Sequence, residues 1–231
     1  MTDVLEESIN TGVIFVEEKL GKDLFLKYLE EFGFFEKTDI DLQGEVFSLN
    51  ERLKQGYHRD IAVASFGQGI EITPMQLMRA FGAIANGGKM MKPFIIEKII
   101  EPDGKEIVIQ PQIQKTVLSA ATAQKLTSML VKVVKQGSAR RAKIDGYFIA
   151  GKTGTAQVSL SKGGYSEDET VQSFAGFFPA FEPRALVLVK LDNPKEVTEA
   201  SRCAVPLAHD LIKDIIDLWQ IPPTDNQVKN L

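Results

Sequence analysis

The stretch GYFIAGKTGTAQV, residues 146–158, decides between two folds for this chain. Residues 146–153 satisfy the phosphate-loop pattern G-x-x-x-x-G-K-[ST], whose chemistry needs a loose loop followed at once by a helix. Residues 147–149 are instead bulky strand formers, and residues 154–158 begin no helical stripe. The sequence therefore favours a β-strand that carries Lys152, and a nucleotide-binding protein is only a remote alternative.

On a strand, Lys152 and Gly154 face one side and Thr153 faces the other. A glycine beside a cleft lets a substrate backbone approach closely, and a strand edge can pair with an extended peptide. We therefore consider this strand a candidate peptide-binding edge. A Lys-Thr-Gly triplet alone is weak support, because chance produces one in about one chain in twenty of this length.

The patterns around this stretch predict an α+β fold. Helical patterns come first in the chain, whereas strand-like runs follow in tandem before a closing helix, which favours a mostly antiparallel sheet over βαβ units. The segment 36–69 is predicted to be mostly irregular. Helices are predicted at 9–20, 25–32, from Pro74 to the NGG at 86–88, after Ser119 and around 208–219, a β-hairpin around the PDG at 102–104, and strands at YFIAGKTGTAQV, SFAGFFPA and ALVLVKLD.

Composition excludes several classes of function. The chain has 231 residues, of which 44% are hydrophobic and 25% charged, as in an ordinary globular domain. Its net charge of -4 argues against a nucleic-acid partner. Cys203 is the only cysteine and there are two histidines, so we expect neither a metal nor a cofactor. No stretch approaches 18 apolar residues and the start is acidic, so we expect the chain by itself to be soluble.

A second short motif, Ser8-Ile9-Asn10, stands at the start of the first predicted helix. A chance S-x-N triplet occurs in roughly half of chains of this length, and residues 48–50 supply another. Ser8 would also be explained by a structural role as the N-cap of that helix. The triplet carries functional weight only in combination with other motifs.

Several segments together resemble, in order and spacing, the transpeptidase domain of class B penicillin-binding proteins. The resemblance covers about residues 4 to 223, and GQG, ITPMQL, NGG and KTGTAQV are nearer the cell-division and sporulation type than the elongation type. It implies an antiparallel sheet packed with helices plus a helical subdomain. The helical part would cover about 1–92, the sheet with its flanking helices about 93–223, and a tail 224–231. The segments are ESINTGVIFVEEKLG, SFGQGIEITPMQLMRAFGAIANGGKMMKPF, RAKIDGYFIAGKTGTAQV, GGYS and SFAGFFPAFEPR.

Enzymes of this family use three motifs around one cleft, S-x-x-K, S-x-N and K-[ST]-G. Ser8 to Asn10 and Lys152 to Gly154 match two of them. The one S-x-x-K string, at 159–162, runs from a strand into two glycines, whereas the nucleophile must open a buried helix, so we interpret it as a coincidence. We therefore expect the nucleophile upstream of Met1, a fold that is incomplete at its N-terminus, and a chain that is not acylated alone.

The resemblance implies a serine acyl-enzyme mechanism. In the family, the nucleophilic serine attacks the D-Ala-D-Ala bond of a peptidoglycan stem, and the amine of a second stem then forms the cross-link. By this resemblance, Ser8 relays a proton to the leaving amine, Asn10 contacts the substrate amide or the catalytic lysine, and Lys152 supplies positive charge with Thr153 as its partner. The implied catalytic residues are Ser8, Asn10, Lys152, Thr153 and Gly154.

Four further residues are implied to contact the substrate. Thr155 would give its backbone N–H to the oxyanion hole, a contribution of about 2.7 to 4 kcal/mol in other enzymes. The side chains of Gln157, Ser173 and Phe174 would line the cleft.

The implied partners are peptidoglycan stem peptides, β-lactams and cell-wall synthesis proteins such as a glycosyltransferase. The complete protein would act at the extracytoplasmic face of the bacterial membrane, held there by an N-terminal anchor. Two alternatives keep the fold. One is a non-catalytic β-lactam sensor or scaffold, and the other is a D,D-carboxypeptidase or β-lactamase, because sequence does not say whether water or an amine is the acceptor.

Overall fold

The computed structural model describes residues 1–160, 163–195, 197 and 199–224, apart from the side chain of Glu167. It confirms the α+β class, with helices first and antiparallel strands after them. Within the described ranges, no helix has both the length and the apolarity needed to span a membrane. The α-helices are α1 (Thr2–Glu6), α2 (Asn10–Leu20), α3 (Lys22–Glu31), α4 (Glu51–Lys54), α5 (His58–Ser65), α6 (Pro74–Ala85), α7 (Ala120–Lys135) and α8 (Ala204–Trp219).

Two of these helices begin where the sequence predicted, at side-chain caps. The Thr73 hydroxyl accepts the backbone N–H of Gln76 at 3.2 Å, and the Gln76 side chain accepts the Thr73 N–H at 2.8 Å, forming a capping box at the start of α6. Ser119 accepts the Thr122 N–H at 3.1 Å at the start of α7. These local bonds fix the starts of two helices that pack against the main sheet.

The main sheet is antiparallel and has the order β5-β6-β7, so β5 forms one of its edges. Its register places Lys152 opposite Ala175 and Gly154 opposite Ser173. The hairpin predicted around residues 102–104 is present as β2 and β3, while β1 and β4 form a further antiparallel pair. The strands are β1 (Lys89–Met91), β2 (Lys98–Ile100), β3 (Glu106–Val108), β4 (Ile113–Thr116), β5 (Ala150–Ser159), β6 (Tyr165–Phe178) and β7 (Ala185–Asp192).

Helices cover both faces of the main sheet. On one face, Phe174 of β6 is fully buried in a cluster with residues of α8 such as Val205 and Ile212. On the other face, Phe177 packs in a cluster with Leu130 of α7. Burial of each such aromatic side chain stabilises the fold by about 1.5–3 kcal/mol. The sheet is therefore held between two helical layers, and β5 is a fixed support for the residues that it carries.

A buried arginine joins the first helices to α6. The side chain of Arg79 is only 1% exposed, and its guanidinium donates to the carbonyl oxygens of Gly33 at 2.7 Å and Lys37 at 3.1 Å. Burial lowers the pKa of Arg79, and the nearby carboxylate of Glu36 acts in the opposite direction. Because these carbonyls belong to the turn after α3, the arginine fixes that turn against α6.

The segment after α8 is bound to the chain just before β5. The Tyr147 hydroxyl donates to the carbonyl of Ile221 at 2.8 Å, and the Thr224 N–H donates to the carbonyl of Gly146 at 2.7 Å. The Thr224 hydroxyl accepts the Phe148 N–H at 3.1 Å. Thr224, which the sequence analysis placed in a tail, is thus buried and bound, while residues 225–231 of that tail lie outside the described residues.

The segment 36–69 is more ordered than predicted. It contains α4 and α5, whose four and eight residues are too few to show a helical stripe in the sequence. Their stability comes from tertiary packing, because Leu53 and Ile61 are buried in a cluster with Phe35. The helix α1 and the pair β1 and β4 were also missed by the sequence analysis.

Candidate active site

Two residues far apart in the sequence meet at the edge of the main sheet. Lys152 lies on the edge strand β5, and Ser8 lies in the three-residue connection between α1 and α2. The Lys152 Nζ donates to the Ser8 Oγ at 2.8 Å although 144 positions separate the two residues. Nζ also donates to the Thr153 carbonyl oxygen at 3.1 Å and to the Thr153 Oγ1 at 3.2 Å. All three N–H bonds of the ammonium group are therefore engaged, and the two motifs form one site.

The backbone of Ser8 turns the hydroxyl group toward Lys152. Ser8 has a φ of 54°, in the left-handed region that costs an L-residue about 1–2 kcal/mol. The N-cap residue of α2 is Ile9, and no side chain caps this helix. The alternative that Ser8 is there as an N-cap is therefore wrong, and its hydroxyl is bonded to the lysine instead.

Lys152 is largely buried, and this burial lowers its pKa from 10.5 to about 8. The ion pairs found among the described residues do not include Lys152. Loss of water around the ammonium group is thus the cause of the shift. A lysine with a pKa of about 8 is mostly protonated at neutral pH and still gives up a proton readily, which suits general acid–base chemistry.

Gly154 makes room for a hydroxyl group from the neighbouring strand. A Cβ atom added to Gly154 would lie 2.6 Å from the Ser173 Oγ, so a larger residue would displace that side chain. Ser173 is partly exposed and lies directly opposite Gly154 in the ladder. The structure therefore brings the predicted residue Ser173 next to the Lys-Thr-Gly triplet.

Thr155 and Gln157 continue along the exposed part of β5. The Thr155 Oγ1 accepts the Ala200 N–H at 3.4 Å, which ties the segment before α8 to this strand. Gln157 donates to the carbonyl of Ser166 at 3.0 Å, across the hairpin. Both side chains are exposed, and their roles toward a substrate stay predictions.

Two predicted site residues are not brought into the site. The expectation that Phe174 lines the cleft is wrong, because its side chain is fully buried against α8. The cause is the register, which pairs Phe174 with Thr153 and aims the ring into the core. Asn10 is the exposed first residue of α2, and within the described ranges its side chain makes no hydrogen bond, so its role stays a prediction.

Sequence reasoning missed Ser138, which lies in the turn after α7. Its hydroxyl is 3.3 Å from the Thr153 Oγ1, and its N–H donates to the carbonyl of Glu6 at 2.9 Å. The Gly137-Ser138 pair has the sequence of an ordinary helix stop, and nothing local in the sequence connects it to the site. Only the folded chain places it there.

The phosphate-loop alternative does not fit the structure. Gly151, Lys152 and Thr153 lie inside β5, where a phosphate loop would lead into a helix. Among the described residues, no cluster of three or more histidine, cysteine, aspartate or glutamate side chains is placed to hold a metal ion. The S-x-x-K string at 159–162 begins at the last residue of β5, and its Ser161 and Lys162 lie outside the described residues.

A largely buried lysine bonded to a distant serine at a sheet edge, within a Lys-Thr-Gly triplet, is the arrangement expected for a penicillin-binding transpeptidase. Residues 1–213 match the penicillin binding protein transpeptidase domain, and the chain belongs to this family.

The stage V sporulation protein D of Bacillus subtilis is 36% identical over 230 residues, which are 98% of this chain and 35% of that protein. The peptidoglycan D,D-transpeptidase FtsI homolog of Mesostigma viride is 29% identical over 97% of this chain and 40% of its own length. This chain therefore spans well under half of either relative. The similarity to a sporulation protein and to an FtsI homolog agrees with the class B type predicted from the motifs.

Solved structures show the same fold. The chain superposes on penicillin binding protein 3 of Mycobacterium tuberculosis with a TM-score of 0.87 at 31% identity, covering 96% of this chain and 52% of that one. That protein has been crystallised with aztreonam and with ampicillin.

Proposed function

We propose that this chain provides the S-x-N and K-T-G motifs of a peptidoglycan D,D-transpeptidase that works through a serine acyl-enzyme. The observation that carries this proposal is the 2.8 Å hydrogen bond between the Lys152 Nζ and the Ser8 Oγ. Two triplets that occurred by chance would not be expected to contact each other in the folded chain. A proton transfer between their side chains, in contrast, requires such a contact.

The geometry suggests a role for each residue in this reaction. Lys152, with its pKa of about 8, and Ser8 form a hydrogen-bonded pair that can pass a proton to the leaving amine of the donor stem. The ammonium charge of the partly buried Lys152 would also attract the carboxylate of the substrate. The Thr155 N–H would stabilise the developing oxyanion, and the edge of β5 would pair with the extended stem peptide.

Among the described residues that meet at this site, none is the first serine of an S-x-x-K string. A chimera tests the proposal directly. The chimera is the Mycobacterium tuberculosis penicillin binding protein 3 in which our chain replaces the region that it superposes on. The remaining part of that protein then supplies the S-x-x-K segment. We expect the purified chimera to be labelled covalently by a fluorescent penicillin. We expect Lys152→Ala to slow this labelling by about a hundredfold or more, the usual contribution of a general acid–base group.

A matched control distinguishes the specific effect of losing Lys152 from the general effect of removing one lysine charge. Lys132→Ala, on the exposed side of α7, removes the same charge away from the site and should label at the normal rate. The unfused chain gives the background signal, and thermal unfolding shows that each chimera is folded. A folded chimera that is never labelled would refute the proposed function, and normal labelling of the Lys152→Ala chimera would refute the role of Lys152.

The same proposal includes the partners and location of the complete protein. The cross-linked substrates are stem peptides of peptidoglycan, and β-lactams occupy the same cleft. A cell-wall glycosyltransferase would supply the glycan strands, and the reaction would take place at the outer face of the bacterial cytoplasmic membrane. Co-purification of the chimera with a glycosyltransferase from a sporulating or dividing host would test the partner.

A further inference from the structure

The turn after α7 touches both segments that carry the catalytic motifs. Gly137 and Ala139 are buried, and Ser138 between them is partly exposed. The Ser138 N–H donates at 2.9 Å to the carbonyl of Glu6, two residues before Ser8. The Ser138 hydroxyl lies 3.3 Å from the Thr153 Oγ1 on β5. One residue thus contacts the Ser8 segment through its backbone and the Lys152 strand through its side chain.

The bonding of Lys152 suggests the direction of the bond between the two hydroxyls. The Thr153 Oγ1 accepts a hydrogen bond from the Lys152 ammonium at 3.2 Å, so one of its lone pairs faces the lysine. The hydrogen of the Thr153 hydroxyl then points away from Lys152, and we infer that it is donated to the Ser138 Oγ, since the distance alone fits either hydroxyl as donor. The 3.3 Å separation exceeds the usual hydroxyl distance of about 2.8 Å, as is common in catalytic sites without substrate.

We propose that Ser138 is a positioning residue of this site, which holds the Thr153 hydroxyl so that its lone pair stays directed at Lys152. The inference rests on the proposed function for its chemical meaning. The positioning itself does not depend on that function, because it concerns only how the Ser138 hydroxyl constrains Lys152 through the Thr153 hydroxyl. Ser138 would act only through Thr153 and would not touch the reacting atoms.

Mutation can separate the contribution of the Ser138 side chain from that of its backbone. Ser138→Ala removes the hydroxyl and keeps the N–H bond to Glu6, so the attachment of the turn to α1 is retained. Ser138→Thr restores a hydroxyl at the same position. Ser128→Ala is the matched control, because the Ser128 hydroxyl on the same helix donates to the Gln124 carbonyl of its own helix at 3.0 Å.

The experiment measures the reactivity of Lys152 in this chain. Acetic anhydride is added at pH 8, and the acetylation rate of Lys152 is determined by peptide mass spectrometry relative to the exposed Lys132. We expect Ser138→Ala to raise the relative rate about threefold, since the ammonium loses part of one hydrogen bond. Ser138→Thr and Ser128→Ala should leave the rate unchanged.

A double mutant shows whether the effect passes through Thr153. In a Thr153→Val background, Ser138→Ala should add nothing to the rate, because the hydroxyl that it positions is already gone. A folded Ser138→Ala variant with a normal Lys152 rate would overturn the proposal, as would an effect that persists beside Thr153→Val. If the alanine variant does not fold, Ser138→Cys, which keeps the volume and weakens the hydrogen bond, provides the same comparison.

The result is independent of the transpeptidase test. Acetylation needs no nucleophilic serine and no peptidoglycan, so an unlabelled chimera would refute the proposed function without affecting the Lys152 rates. Conversely, unchanged rates in Ser138→Ala would refute the positioning role while the chimera could still be labelled.

Discussion

Gly137 lies where the turn after α7 meets α1, and replacing it with alanine should disturb both stability and the site. An added Cβ atom would lie 2.5 Å from the Glu6 carbonyl oxygen and 2.7 Å from the Glu6 Cγ. The backbone oxygen cannot swing aside like the end of a side chain, so α1 must move by about 0.9 Å to restore ordinary contact at 3.4 Å. Because Ser8 lies only two residues after the end of α1, this movement should draw the Ser8 Oγ away from Lys152.

Two effects of Gly137→Ala oppose each other. Replacing glycine by alanine restricts the unfolded chain and stabilises a protein by about 0.4–1 kcal/mol where the native conformation allows it. Overpacking in a close-packed region costs about 1–3 kcal/mol. The contact is with backbone in a buried turn, so we expect the second effect to dominate and the free energy of unfolding to fall by about 1–2 kcal/mol.

Urea unfolding measures this change, with Gly82→Ala as the matched control. Gly82 lies within α6 and an added Cβ would meet nothing within 4 Å, so this substitution should stabilise the chain by about 0.5–1 kcal/mol. The acetylation rate of Lys152 should rise in Gly137→Ala and stay normal in Gly82→Ala. If Gly137→Ala is as stable as Gly82→Ala and Lys152 reacts normally, the contact between the turn and α1 does not hold Ser8 in place.

Three further predictions concern single residues. The pKa of Lys152 is lowered by folding to about 8, so between pH 8 and 10.5 the unfolded chain binds more protons than the folded one and stability rises with pH. Lys152→Met should remove this contribution, which is about 3 kcal/mol at most, and unfolding curves of both proteins at pH 7 and pH 10.5 would show the difference. Thr73→Ala should lower the free energy of unfolding by about 1 kcal/mol through loss of the capping box of α6, with Ser128→Ala as a neutral comparison. Arg79→Met should cost about 3 kcal/mol because it leaves the carbonyls of Gly33 and Lys37 without their buried donor, and a cost below 1 kcal/mol in urea unfolding would contradict this role.

The helices and strands that were predicted correctly have a recognisable pattern within their own stretch of sequence. The helix α6 combines Thr73, Pro74 and Gln76 in a start signal with a clear apolar stripe, and β5 has strand formers on both sides of its glycines. The convergence of Ser8 and Lys152 was predictable only from the joint order of motifs along the chain. Neither triplet alone distinguished a site from chance.

The features that the sequence missed depend on contacts between distant segments. The helices α4 and α5 are too short to show a period, and they persist because Leu53 and Ile61 are buried among residues of other segments. The burial of Phe174 follows from strand register, which a motif does not reveal. Ser138 reaches the site because α7 ends beside α1, and this proximity arises only when the chain folds.

The attachment of residues 221–224 to the chain before β5 has a practical consequence for handling this protein. Three hydrogen bonds link Ile221 and Thr224 to residues 146–148. The segment after the last helix is therefore bonded to the residues that lead into the strand carrying Lys152. A stop codon placed directly after Trp219 would therefore weaken the support of Lys152, 67 positions upstream in the sequence, whereas an affinity tag joined beyond Thr224 leaves these hydrogen bonds intact.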